Sequence, residues 1–486
     1  MSRGKTLLAW LVGLAVVAVA GSSTLAQEQA ADPGFGELSD TIESLARKKP
    51  GNSVVGVTVT DVTTGAEIFA LGGDEQLNPA SNAKIVTAAV ALKVLGPEFE
   101  FQTSLHGKRD GNTIRGPIYI KGHGDPSLST ADLWQMVREV KAMGIRRVEA
   151  GVVVDDTYFD DQNLPYAFDR QPDEDNKFRS PVGAVSLNHN ALSVTIRPAA
   201  QGMTRARVVL DPPGYAVLTN DTVTVGQGAH NPKISCQTFE DRTRVRVWGQ
   251  VPLGARPVTY FRRIDNPSLF TGYGLKAVLE EVGISVGGDV RVGPLLSGTP
   301  MLAEHYSPPL SSVLWESGKL SNNFVTETVF KTVGAESGEG PGTWEKSIAA
   351  AAEVLDGWGI PAGSYTYRNG SGLFDANLFS ARQFVRVLRA AYLDSGLRPE
   401  FLAQLATGGV DGTIKQRYRH PSARRRVRAK TGTLADVSAL SGFVFDAQGR
   451  RPIAFSILVN KAPGYVSSAR SYQEKIVTAI AKHLNP

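Results

Sequence analysis

The sequence predicts an α+β protein, and three observations carry that prediction. A hairpin pattern and a helical pattern stand near the start. A long stretch from about residue 101 to 300 reads as short strands broken by turns. Helical texture then returns, and two apolar strands and a helix follow near the end.

The elements can be justified in order. Leu38, Ile42 and Leu45 recur at helical spacing between Asp32 and Pro50. Val55, Val57 and Val59 alternate, and Thr63-Thr64-Gly65 turns the chain toward Ile68 and Ala70, which makes a hairpin. A helix begins near Ser81, with Ile85, Ala88, Ala89 and Leu92 forming one apolar stripe. In the middle region, Pro117–Ile120, Val152–Val154 and Val208–Leu210 are strand candidates. Gly122-His123-Gly124-Asp125-Pro126 and Asp211-Pro212-Pro213-Gly214 are turn signals. Leu310 to Trp315 and the Val325, Val329, Val333 series are helices. Leu440 to Phe445 and Ile453 to Val459 are strands joined through Asp446-Ala447-Gln448-Gly449. Tyr472, Ile476, Ala479 and Ile480 mark the face of a closing helix.

Composition narrows the class. The chain has 486 residues, 42% of them hydrophobic and 20% charged, enough for a large core. Residues 1–26 combine Arg3 and Lys5 with an apolar run from Leu7 to Ala20 and a small-residue end at Ala26. That pattern predicts a signal peptide and an exported mature chain beginning near Gln27, the other reading being an uncleaved anchor. Of 52 basic residues, 50 remain without Arg3 and Lys5, against 47 acidic ones. A net charge of +3 does not suggest nucleic-acid binding. The single cysteine, Cys236, allows no internal disulfide and reads as a small buried hydrophobe on a strand. The seven histidines are scattered, with no His-Glu-x-x-His zinc motif, and read as structural rather than as metal ligands.

Ser81-Asn82-Ala83-Lys84 carries the first chemical signal. Three positions apart on a helix, Ser81 and Lys84 share a face. A serine hydroxyl becomes a nucleophile when a base takes its proton, and a lysine serves if burial or a second cation lowers its pKa. Alone the pattern is weak, since Ser2-Arg3-Gly4-Lys5 has it too. Two further elements change the weighing: Ser321-Asn322-Asn323 before a helix, and Lys430-Thr431-Gly432-Thr433 leading into an apolar strand. Each has a bland reading, as a helix cap or a solvated lysine, and Ser186-Leu187-Asn188 is a decoy. The ordered trio is characteristic of β-lactamases and penicillin-binding proteins. Gly283-Ile284-Ser285-Val286-Gly287 matches a hydrolase elbow but follows a helix-like stretch, so it reads as a helix end and turn.

With these motifs the chain resembles the D-alanyl-D-alanine carboxypeptidase/endopeptidases, the class C low-molecular-mass penicillin-binding proteins. The 240 residues between Ser81 and Ser321 suit their large insert and exceed the interval of class A β-lactamases. Gly122-His123-Gly124-Asp125-Pro126, Val154 to Phe159, Ser180 to Asn188, Ser321 to Glu327 and Gly409-Val410-Asp411-Gly412-Thr413 resemble segments of that family. Asn369-Gly370-Ser371-Gly372-Leu373 departs from it, with Asn where Asp is usual.

The resemblance implies a penicillin-binding/β-lactamase-like transpeptidase domain, an antiparallel sheet with helices on both faces. It is split between 27–100 and 304–486 around a mostly β insert over 101–303 that has room for a nested subdomain. It implies that Ser81 forms an acyl-enzyme with the D-Ala-D-Ala carbonyl of peptidoglycan stem peptides. Lys84 would be the base, kept neutral with help from Lys430, and Ser321 would relay a proton to the leaving amine. Asn323 would hold Lys84 and the substrate amide. Lys430, Thr431, Gly432 and Thr433 would line the binding strand, with Lys430, Thr431 and Thr433 receiving the terminal carboxylate. The Ser81 and Thr433 N–H groups would form the oxyanion hole. No metal or organic cofactor would be needed, and β-lactams would acylate Ser81; the signal-peptide pattern adds a periplasmic location. The competing readings are a β-lactamase or esterase on this scaffold and a non-catalytic peptidoglycan-binding protein. The run Arg424-Arg425-Arg426-Val427-Arg428 reads as a solvated loop or as a contact to an anionic cell-wall polymer or membrane surface.

Overall fold

A computed structural model describes residues 33–170, 175–200, 205–239 and 242–486; the segment expected to be a signal peptide lies outside them. Among the described residues, no helix is long and apolar enough to cross a membrane.

The site stands on a six-stranded antiparallel sheet. Its order is Ala406–Thr407, Val427–Thr433, Ser438–Phe445, Pro452–Asn460, Val54–Asp61 and Glu67–Leu71. Strand side chains alternate between faces, and here both faces are buried, which explains the continuous apolar runs. Leu440, Val444, Phe455 and Ile457 face helices Gly36–Ala46 and Val466–Leu484. Ala439, Phe443, Ala454 and Leu458 face a helical layer that includes Ala83–Leu95, Asn323–Glu336 and Ala381–Leu393. Helix Ala83–Leu95 corrects one expectation. It buries every residue from Ala83 to Leu92, so it is a central helix rather than one with a single apolar stripe.

The residues between Gln102 and Tyr306 form a seven-stranded mixed sheet and two three-stranded sheets. The large sheet opens with strands Gln102–Asp110 and Thr113–Gly122 and ends with Met301–Tyr306, which pairs back onto Gln102–Asp110. Helices Thr130–Ala142 and Pro267–Glu281 pack with it. One small sheet contains Lys233–Phe239, where Cys236 is half-buried rather than fully buried. Burial pushes its thiol up to about 12. The hydrolase-elbow match falls where the sequence suggested: Pro267–Glu281 ends before Gly283, and Ser285-Val286 pairs as a short strand with Arg147-Val148.

Candidate active site

The turn before the central helix sets the position of Ser81. Ala80 has a φ of +45°, a left-handed conformation that L-residues avoid. Its amide donates to Asn78 Oδ1 at 2.8 Å, and Asn78 is held in turn by Asn460. Ser81 follows in a 3₁₀ turn, and the helix starts at Ala83. Asn82 anchors this turn to the sheet through Ser441 Oγ at 2.7 Å.

Lys84 points back at the nucleophile candidate. Its Nζ is 3.1 Å from Ser81 Oγ, 2.7 Å from Asn323 Oδ1 and 2.7 Å from the Ser371 carbonyl oxygen. Complete burial lowers its pKa to about 7, against a smaller opposing pull from Glu327. The cause therefore differs from the like-charge repulsion expected of Lys430. Burial also lowers Lys430, and there the neighbouring Lys84 adds to the effect.

Ser321 sits just ahead of helix Asn323–Glu336 with a φ of +60°. Asn322 caps the helix by accepting from the Val325 amide. Lys430 Nζ donates to Ser321 Oγ and to the Thr431 carbonyl, each at 2.8 Å. Thr431 bonds Thr413, and Thr433 Oγ1 accepts from Arg470 at 3.3 Å. At Gly432 an added Cβ would lie 2.6 Å from the Pro79 carbonyl and 3.0 Å from the Ser81 nitrogen. Only a glycine lets this strand run so close to the nucleophile turn. The strand and turn border a cavity of about 400 Å³ shared by Ser81, Ser321, Thr431, Gly432 and Thr433. Every sequence-predicted site residue thus belongs to one cluster.

Several further residues join the cluster in roles the sequence did not reveal. Glu327 lies one helical turn beyond Asn323 and is fully buried. Its carboxylate accepts from the Gly370 and Ser371 amides at 3.1 and 2.7 Å and from Trp344 Nε1 at 3.2 Å. Burial pushes its carboxyl upward and these amides oppose the shift. The departing loop also gains an explanation. Asn369 accepts from the Gly372 amide and donates to the Tyr166 and Leu373 carbonyls, which a carboxylate could not do. The insert reaches the site as well, because the Phe178 carbonyl accepts from Asn323 Nδ2 at 3.0 Å. Arg470 and Arg417, from the closing helix and the loop after Thr413, line the same cavity. The decoy Ser186-Leu187-Asn188 is structural, with Asn188 bonding Thr130 and Asp211.

The profile of the D-Ala-D-Ala carboxypeptidase 3 (S13) family matches residues 38–482. The chain belongs to that family. It is 34% identical over 469 residues to the D-alanyl-D-alanine carboxypeptidase of Actinomadura sp. (strain R39), covering 92% of this chain and 85% of that one. It is 25% identical over 437 residues to D-alanyl-D-alanine carboxypeptidase DacB of Haemophilus influenzae, covering 88% and 89%. The crystal structure of penicillin binding protein 4 (dacB) from Haemophilus influenzae superposes with a TM-score of 0.75 at 24% identity, over 91% of this chain and 99% of that one. The S13 assignment makes this a serine-type enzyme of the penicillin-binding class, with the α+β transpeptidase fold and β-rich insert expected from its sequence.

Proposed function

We propose that this S13 enzyme hydrolyses the D-Ala-D-Ala bond of peptidoglycan stem peptides, and related peptide cross-links, through a Ser81 acyl-enzyme. The observation that carries the reading is the 3.1 Å approach of a buried Lys84, with a pKa near 7, to Ser81 Oγ. Close to half of such lysines are neutral at pH 7, so Lys84 can accept the hydroxyl proton while Oγ bonds to the substrate carbonyl carbon. The oxyanion would be met by the Ser81 and Thr433 N–H groups. As the scissile C–N bond breaks, the leaving amine takes a proton through Ser321 Oγ, which Lys430 hydrogen-bonds. Water then attacks the ester, with Lys84 again the proton carrier, and Ser81 is regenerated. Lys430, Thr431 and Thr433 supply the charge and hydroxyls for a terminal carboxylate.

β-Lactams present an amide carbonyl to the same nucleophile. A Haemophilus influenzae penicillin binding protein 4 structure complexed with a β-lactam, 23% identical and superposing with a TM-score of 0.71, shares this fold. The N-terminal sequence pattern supports export to the periplasm, where the polymer lies. Muropeptides digested by the pure protein should lose one terminal alanine or a cross-link by mass spectrometry, and Ser81→Ala should leave them intact. Equal digestion by that variant would exclude Ser81.

A further inference from the structure

A second cationic site lies away from the catalytic cluster. Arg398, Arg425, Arg426 and Arg428 line one cavity of about 570 Å³ with Tyr392 and Phe445. The four guanidinium groups come from two stretches, the start of helix Arg398–Gln404 and the approach to and first residues of strand Val427–Thr433. Arg424, though part of the same basic run, does not line the cavity; its side chain lies by Gly409.

The four guanidinium groups outnumber the carboxylates beside them. Among the described residues, none of these guanidinium groups has a carboxylate oxygen within 4 Å. Arg426 donates to the Ala447 carbonyl and Arg428 to the Thr407 hydroxyl, and Arg398 lies over the Tyr392 ring at 5.3 Å. Asp446 also borders the cavity and brings one negative charge, its Oδ1 accepting from the Arg450 and Arg451 amides at 2.6 and 3.0 Å. Asp411, the carboxylate that acts on Arg428, is paired with Lys319 at 2.6 Å. Arg425 holds a φ of +65°, kept there by its amide bond to the Gly408 carbonyl at 2.9 Å.

We propose that this cavity binds phosphate groups of a soluble phosphodiester-linked polymer. Guanidinium forks match phosphate oxygens in paired hydrogen bonds, and several converging forks suit a group repeated along a chain. Tyr392 and Phe445 are partly buried beside these forks, with Arg398 over the Tyr392 ring. They line a concavity instead of projecting, which favours a polymer over a bilayer. Along the strand, Arg428 stands five residues before Thr433, about 17 Å at strand rise. A bound polymer would therefore leave the catalytic cavity free.

The test uses fluorescent inorganic polyphosphate and the full exported chain. Parent protein should bind it saturably at moderate salt. The variant Arg398→Gln/Arg425→Gln/Arg426→Gln should bind at least tenfold more weakly. A charge-matched control in the insert, Arg109→Gln/Arg138→Gln/Arg291→Gln, should bind like the parent. All three proteins should be acylated by penicillin at the same rate, so this result is read separately from the catalytic proposal. Should the triple variant lose acylation, Arg398→Gln alone carries the test, with binding weakened severalfold. Equal losses in both triple variants, or capture by phosphatidylglycerol vesicles with polyphosphate ignored, would overturn the proposal.

Discussion

Lys84 Nζ and the backbone carbonyl oxygen of Ser371 stand 2.7 Å apart, and the Ser371 amide on the same residue donates to Glu327. A buried carboxylate therefore grips the loop whose carbonyl aims the lysine. Its negative charge also raises the pKa of Lys84, against the larger effect of burial.

A pH profile follows. In the proposed mechanism neutral Lys84 is the reactive form, so the rate of Ser81 acylation by a penicillin should rise about tenfold per pH unit below 7 and level off above it. Glu327→Gln removes a charge that favours the ammonium, so the inflection should move to lower pH. The maximal rate should fall too, because one buried amide loses its acceptor, at a cost of about 1–3 kcal/mol. Stopped-flow acylation across pH 5 to 9 decides this, and an inflection displaced to higher pH would sink it.

Ser81→Ala should abolish covalent penicillin labelling and leave the fold intact. The hydroxyl's hydrogen bond in the structure is the one from Lys84, so stability should change by about 1 kcal/mol. Gel fluorescence and a thermal melt give the two readings.

Gly432→Ala should be far more damaging than its size suggests. The added methyl meets the Pro79 carbonyl and the Ser81 nitrogen, so the strand or the turn must retreat. Overpacking of this kind costs about 1–3 kcal/mol. Acylation should drop at least a hundredfold with the protein still folded, measured as kcat/KM for a chromogenic cephalosporin.

Arg470 bonds the Thr433 hydroxyl and has no carboxylate within 4 Å among the described residues. Arg470→Ala should raise KM severalfold for a peptide ending in a free D-Ala carboxylate, with kcat little changed. The C-terminally amidated peptide should show no difference between parent and variant, and an equal loss on both would assign Arg470 a structural role only.

Asn369→Asp restores the residue usual in the family yet should destabilise this chain. The Tyr166 and Leu373 carbonyls would lose their donor in a fully buried position. The expected loss is about 1–3 kcal/mol by denaturant titration, and a more stable Asp variant would refute the assigned bonds.

The sequence was informative where side-chain period and chemistry coincide. The closing helix, the hairpin and the Ser81, Ser321 and Lys430 motifs all follow from local spacing. Helix Thr130–Ala142 was missed although Ser129 and Asp132 form a capping box ahead of Leu133, Met136, Val137 and Val140. That signal was present and overlooked within a β-rich stretch. Glu327 and Ser371 fall in segments the resemblance singled out, but their contacts with Lys84 and with each other were not legible, because nothing local tells a buried carboxylate from a solvated one. The same holds for the convergence of Arg398 with Arg425, which depends on how a helix and a strand pack.

Asn78 and Asn460 exchange hydrogen bonds across 382 positions of sequence, and Val54–Asp61 pairs with Pro452–Asn460. The turn before Ser81 is further tied to Phe374 and Asp375 through Asn78 Nδ2, and to Ser441 through Asn82. All these partners lie nearly 300 residues or more along the chain from the serine. The environment of Ser81 is therefore a property of long-range pairing, and a change that loosens the Val54–Asp61 and Pro452–Asn460 pair reaches the nucleophile turn without touching it.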